Sequence, residues 1–442
     1  MKIAVLCNTG PQAWLKQGAG SEGDMSLDFH KGLASTAERG KLDILFLADG
    51  VGFKTLGLDA ERQEAIGNGV HFEPMTLLSA LSQSTTDVGL VSTISSTYAH
   101  PYAIARSVGS LDFLSNGRAG WNVVTSGSDE EAFNYGLDRQ LSSADRYRRA
   151  NEAVDAVFGL WDSFDDDAFL RDRSTGRYFD HRRMHQLNHQ GEFFKIRGPL
   201  NMPRPPQGRP LISQAGTSPE GHRMAARTAD VMYAKYSTFE GGRQFREDMG
   251  AMLAAFGRPA DQLVILPGFL PVIGGTEAEA KRKFMDIQQY LDDGAGLQLI
   301  KGFWGVDLGG YPLDEAIPDL PEIGHFVHSK TLDLDRNGKR MTVREAFHWL
   351  ASAYGHLSSI GTPEQIADIM QAWFQEGGAD GFNLFLHSMP QSLEDFVDEV
   401  VPILQNRGLM QRDYREGTLR NKLGLHHPAS RYAELSGEAA LG

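Results

Sequence analysis

Short apolar runs recur along the chain, separated by stretches whose apolar positions repeat at helical spacing. The first four are "KIAVLC" (2–7), "LDILFL" (42–47), "DVGLVST" (87–93) and "GWNVVT" (120–125). Four more follow: "PLISQ" (210–214), "DVMYA" (230–234), "QLVILPGFL" (262–270) and "GFNLFL" (381–386). Most are continuous rather than alternating, the pattern of a parallel strand covered on both faces. Residues 362–376 give the clearest helix between them. Thr362 is placed to cap, Pro363 takes the first helical position, and Gln365 completes a capping box. Ile366, Met370 and Trp373 then form one apolar stripe that Gly377 and Gly378 end.

Eight strands alternating with helices predict an α/β fold, a (β/α)8 TIM barrel. No G-x-G-x-x-G follows the first strand, which speaks against a dinucleotide-binding doubly wound sheet. Residues 1–442 read as a single barrel domain with insertions near the mouth at 162–209 and 293–345 and a C-terminal extension at 406–442. The first insertion carries a small hairpin around "QGEFFKIRG". The second is rich in Gly, Pro and Asp and is expected to act as a lid. The extension is expected to lie over the barrel or over a neighbouring subunit.

Charge narrows the partners. Lys plus Arg number 43 against 57 Asp plus Glu, a net charge of −14, which argues against nucleic acid or an anionic membrane. A single cysteine, Cys7, excludes an internal disulfide framework and suits a reducing compartment. The apolar run in "MKIAVLCNTG" is too short for a secretory signal and no stretch reads as a membrane span, so a cytoplasmic location is expected.

In barrel enzymes the working residues sit at the C-terminal ends of the strands. Those ends carry Asn8, Asp49, Thr93, Asn122, Ser126, Gln214, Ser218 and Asn383. The set is rich in amides and hydroxyls and poor in acids, bases and nucleophiles, which suits a bound cofactor carrying the chemistry. No catalytic side chain is assigned. In "LISQAGTSPEGHRMAAR" (211–227), Ser218 and Pro219 open a helix just after a strand and a glycine. Such a start is either an ordinary cap or a site for an anion such as phosphate. His181, His185 and His189 fall at i, i+4 and i+8, a spacing that helical zinc sites use. Their loop-like context, with Gly191 following, favours structural or substrate-facing roles, and no metal is expected.

"SNGRAGWNVVTS" (115–126) resembles the signature of the nitrilotriacetate and dibenzothiophene-sulfone monooxygenase branch of the bacterial luciferase-like flavin monooxygenases. So do "AERGKLDILFLADG" (37–50), "EPMTLLSALSQST" (73–85), "RGPLNMPRPPQGRPLISQAGTSPEGHRMAARTADV" (197–231), "GADGFNLFL" (378–386) and "FVDEVVPILQNRGLMQRDYREGTLRNKLGL" (396–425). The resemblance implies a TIM barrel that binds FMN, supplied reduced by a separate NAD(P)H:flavin reductase. It implies reaction with O2 to a flavin C4a-(hydro)peroxide that oxygenates a small organic substrate, and assembly as a homodimer or homotetramer. By the same resemblance Asp49 and Thr93 face the flavin ring and ribityl chain, and Asn122 lines that pocket. Tyr147 and Ser218 are similar to phosphate ligands. Ser143 stands where the family usually has a histidine, four residues before the tyrosine. A serine still donates to a phosphate oxygen, with a shorter reach and no titratable cation. "NTGPQAWLKQGAG" (8–20) also lacks a histidine often found there. A non-catalytic flavin-binding relative and a flavin- or deazaflavin-dependent reductase of the same superfamily are the alternatives.

Overall fold

Strands and helices alternate along the chain as the apolar runs predict, and the sheet they form closes on itself. The computed structural model describes residues 1–8, 25–53, 63–64, 69–289, 291–320, 335–336, 339–353 and 355–433. The barrel strands are β1 (Lys2–Leu6), β2 (Ile44–Leu47), β3 (Gly89–Ser95), β4 (Ala119–Val124), β5 (Leu211–Gln214), β6 (Val231–Ala234), β7 (Val264–Ile273) and β9 (Gly381–Phe385). Each pairs in parallel with the next, and β9 returns to β1 with Lys2 opposite Gly381.

The continuous apolar runs have two destinations. Ala4, Ile44, Phe46, Val91, Leu211, Val231, Tyr233, Val264 and Leu266 fill the barrel interior. Their immediate neighbours Ile3, Val5, Leu45, Leu90, Ile212, Met232 and Ile265 pack outward into the larger core shared with the helices. Both faces are therefore dry, and side-chain alternation within an unbroken apolar run supplies both layers.

The N-terminal end of the barrel is closed by the extension. Leu419, Leu423 and Leu425 complete the interior cluster, from the short helix Leu419–Leu423 and the residue after its C-cap. Arg420 forks onto Asp230, with its Nη atoms 2.9 and 2.6 Å from the two carboxylate oxygens. Asp43, Asp230 and Asp380, just ahead of β2, β6 and β9, each accept the N–H of the second residue of a neighbouring strand, Ile3, Ile212 and Ile265, at 2.8 Å. This end is built for stability, with its strand-end donors answered.

Two features extend the barrel. In the first insertion the expected hairpin is present, with His189–Gln190 antiparallel to Lys195–Ile196. The second insertion is larger than the sequence pattern indicates. β7 is ten residues long, all of them buried, and outruns β6. Its upper half takes an additional parallel partner, β8 (Leu357–Gly361), so that Phe269 faces Leu384 on one side and Leu357 on the other. Leu270 and Val272 join a second hydrophobic core with Leu291, Ile300, Trp304, Phe347 and Leu350 of the insertion. The second insertion is thus anchored on β7 by a core of its own.

Candidate functional site

At the C-terminal ends of β2, β4 and β5 lies a cavity of about 260 Å³, lined by Asp49, Val123–Gly127, Glu131, Tyr147, Gln214–Gly216 and Gly221. Local sequence explains its shape. Ser218 caps the helix Pro219–Thr228, accepting from Gly221 N–H at 3.1 Å, with Pro219 at the first helical position. The same Ser218 hydroxyl donates to Tyr147 Oη at 3.1 Å, tying the helix start to the helix Ser143–Trp161. A Cβ on Gly221 would lie 2.8 Å from Tyr147 Oη, and one on Gly216 would lie 3.2 Å from Gly221 Cα. The two glycines keep open a notch in front of the helix N-terminus, where backbone N–H groups and the dipole favour an anion. His222 steadies the notch by a hydrogen bond to the Gly216 backbone, and burial lowers its pKa.

The opposite wall is organised by a carboxylate. Glu131 is 4% exposed and accepts from Ser126 Oγ and Gly127 N–H at 3.0 Å, from Ser128 N–H at 3.2 Å and from Val51 N–H at 3.3 Å. Ser126 adopts φ +54°, a left-handed turn uncommon for a non-glycine residue, and the Glu131 contacts hold it there. Beneath the cavity, Thr93 Oγ1 donates to the Leu47 carbonyl at 2.7 Å and accepts from Asn122 Nδ2 at 3.0 Å. Ser213 Oγ reaches Asn122 Oδ1 at 3.3 Å. Gln214 Oε1, on the lining, is buried with no partner among the described residues.

The structure therefore gathers most of the sequence candidates around one space. Asp49 and Tyr147 line it, Ser218 adjoins it, and Thr93 and Asn122 form a hydrogen-bonded pair in the strands below. Ser143 is exposed and off the lining, on the first turn of the helix that carries Tyr147. Asn8 exchanges two hydrogen bonds with Ala48, its Nδ2 donating at 3.0 Å and its Oδ1 accepting at 2.9 Å. Beyond Asn8 the segment 8–20 lies outside the described residues. Sequence reasoning missed Glu131, whose spacing after Ser128 reads as an ordinary capping box, and His71, whose Nε2 lies 2.8 Å from Asp49 Oδ1. It also set His181, His185 and His189 on one spacing. They sit on separate elements, and His185 pairs with Asp165 at 2.8 Å and His189 with Glu152 at 2.9 Å. Cys7 is inert in this setting, because burial pushes its thiol up to about 12.

The sequence profile described as luciferase-like monooxygenase matches residues 1–381. The N-acetyl-S-(2-succino)cysteine monooxygenase of Bacillus subtilis is 44% identical over 441 residues, 98% of each chain. Nitrilotriacetate monooxygenase component A of Aminobacter aminovorans is 41% identical over 421 residues, 93% of this chain and 92% of that one. The crystal structure of DmoA from Hyphomicrobium sulfonivorans superposes with a TM-score of 0.88 at 30% identity, covering 100% of this chain and 97% of that one. Among the described residues no helix is long and apolar enough to cross a membrane.

Proposed function

Because this chain belongs to the luciferase-like monooxygenase family, we propose that it is the oxygenating component of a two-component, FMN-dependent monooxygenase. In this reading a separate NAD(P)H:flavin reductase supplies reduced FMN, and the chain uses it with O2 to oxygenate a small organic substrate. The observation that carries the reading is the glycine notch at the start of the helix Pro219–Thr228, open to a cavity at the barrel mouth. A relative named as a component A supports the division of labour.

The residues fit a phosphate-bearing flavin. Ser218, Tyr147 and the first-turn N–H groups would hold the phosphate, with Ser143 one turn away adding a hydroxyl. Asp49, Thr93 and Asn122 would meet the ribityl chain and ring, and the buried Gln214 carbonyl oxygen offers an acceptor on the same wall. Bound reduced FMN would supply the activation of dioxygen. The chain's own part is to bind, to orient the substrate and to exclude water, and the insertion anchored on β7 serves the last task.

Purified chain is tested with FMN, NADH and labelled dioxygen, with and without a flavin reductase, against a panel of sulfides, amines and aminocarboxylates scored by mass spectrometry. Label should enter a product only when the reductase is present. Catalytic NADH consumption by the chain and FMN alone would overturn the two-component reading in favour of a self-sufficient oxidoreductase.

A further inference from the structure

On β6, the strand next to the β5 wall of that cavity, a positive charge has no ion-pair partner among the described residues. Lys235 follows directly on β6 and is half-buried. Its Nζ lies 5.3 Å from the centre of the Phe303 ring, on the insertion helix Asp293–Trp304. Its stem runs against Gly355, where an added Cβ would sit 3.3 Å from Lys235 Cε. No ion pair to it forms among the described residues, although the chain carries 57 acidic side chains. Burial lowers its pKa with no carboxylate to oppose the shift.

The neighbouring residue completes a small constellation. His356 stacks on Phe385, at the end of β9, with ring centres 4.6 Å apart. It lies so close over β7 that a Cβ on Gly268 would be 2.5 Å from its Nδ1. That Nδ1 is buried and has no hydrogen-bond partner among the described residues. The Trp349 indole donates to the His356 carbonyl at 3.0 Å and fixes the backbone. An ammonium without an ion pair and an imidazole nitrogen without a hydrogen bond, among the described residues, thus lie within electrostatic reach of each other, each beside an aromatic ring, where the insertion joins the barrel mouth.

A half-buried lysine with no ion pair among the described residues gives up part of its hydration with no carboxylate in return, a cost that an anionic ligand would offset. We propose that Lys235 and His356 bind a carboxylate of the substrate, Lys235 through an ion pair and His356 through an imidazole N–H, with Phe303 and Phe385 against the adjoining apolar part. The assignment of this anion to the substrate rests on the reading of the β2–β5 side of the mouth as the FMN site. Lys235 is then the specificity-determining residue of the substrate half, and neutral substrates of similar shape are rejected because they would cover the ammonium without answering its charge.

The test is titration calorimetry of the full chain with succinate, benzoate and their methyl esters, on wild type, Lys235→Met and Lys235→Arg. FMN affinity and melting temperature are measured on the same three proteins. At least one carboxylate should bind wild type, with its ester at least tenfold weaker. Lys235→Met should lose at least tenfold, Lys235→Arg should keep most of the affinity, and FMN binding should not change. The melting temperature of Lys235→Met should not fall, whereas a structural lysine would lower it. Equal binding of acids and esters, no binding of either acid, or undiminished carboxylate binding by Lys235→Met would overturn the proposal. Loss of FMN affinity in Lys235→Met would overturn it too, by assigning the charge to the cofactor. None of these readouts needs turnover, so a failed oxygenation assay would count against the proposed function and leave this assignment standing.

Discussion

The two halves of the barrel mouth are polar in opposite ways. On the β2–β5 side most polar groups answer one another, Gln214 Oε1 excepted. Glu131 gathers hydrogen bonds from residues 51 and 126–128, Ser218 binds Tyr147, and Thr93 binds Asn122. On the β6–β7 side a lysine and an imidazole nitrogen have no partner among the described residues, and they sit among aromatic rings and the second core. The first half is pre-organised by backbone and can present N–H groups at any pH. The second half holds side-chain charge in reserve. With the first half proposed for the cofactor and the second for the substrate, this division would let the substrate side change by substitution while the cofactor side stays backbone-defined.

The hardest way to break the contrast is at its organiser. Glu131→Ala leaves several buried donors unanswered and should cost about 3 kcal/mol or more in stability, with FMN affinity falling as the 126–131 turn relaxes. Thermal melts and a flavin titration on one protein read both. Next is Ser218→Ala. If its helix holds a phosphate, FMN affinity should fall by about 1.5–3 kcal/mol, tenfold or more. A plain cap would instead show about 1 kcal/mol of stability with affinity unchanged.

The two halves should also part on acidification. His387 is buried against the insertion, bonded to the Ser352 backbone, and burial holds its pKa down to about 4. Lys283 and Asp395, themselves paired at 2.9 Å, line the small cavity beside it. The folded pKa lies below the unfolded value of about 6.5, so the stability of the neutral form is complete above that pH and is lost as pH falls toward 4. At pH 5 the loss is about 2 kcal/mol. After correction for the intrinsic pH dependence of exchange, protection across 343–361 should fall at pH 5 and hold at 211–227, and His387→Asn should abolish this difference. The smallest effect belongs to Ser143. Exposed and off the lining, it would add one neutral hydrogen bond in the proposed complex, so Ser143→Ala should weaken FMN by about 0.5–1.5 kcal/mol, and Ser143→His should recover or exceed the original affinity.

The first half was far more legible in the sequence than the second. The strand ends are marked by apolar runs, and the helix start at Ser218-Pro219 is written in adjacent residues, so Asp49, Thr93, Asn122 and Ser218 could be grouped in advance, with Tyr147 added by the family resemblance. Their roles at the flavin remain proposals. β8 was invisible because "LSSIG" is short, polar and half-exposed, and it exists only because β7 outruns β6. Lys235 and His356 are 121 positions apart and share no local pattern; an insertion with its own core brings them together. Glu131 was hidden differently. Its capping box is real, and the same carboxylate also serves the turn before it.

The pairing of β1 with β9 has a consequence for how the protein is made. Lys2 waits for Gly381, and the interior is sealed only when Leu419 and Leu423 arrive. At a translation rate of about 5–20 residues per second, the first strand leaves the ribosome roughly tens of seconds before its partner. Through that interval the nascent sheet has an open parallel edge and an uncapped apolar bore, the condition that recruits chaperones or neighbouring chains. A ribosome that stalls anywhere before residue 381 therefore releases a product that nothing later in its own sequence can close.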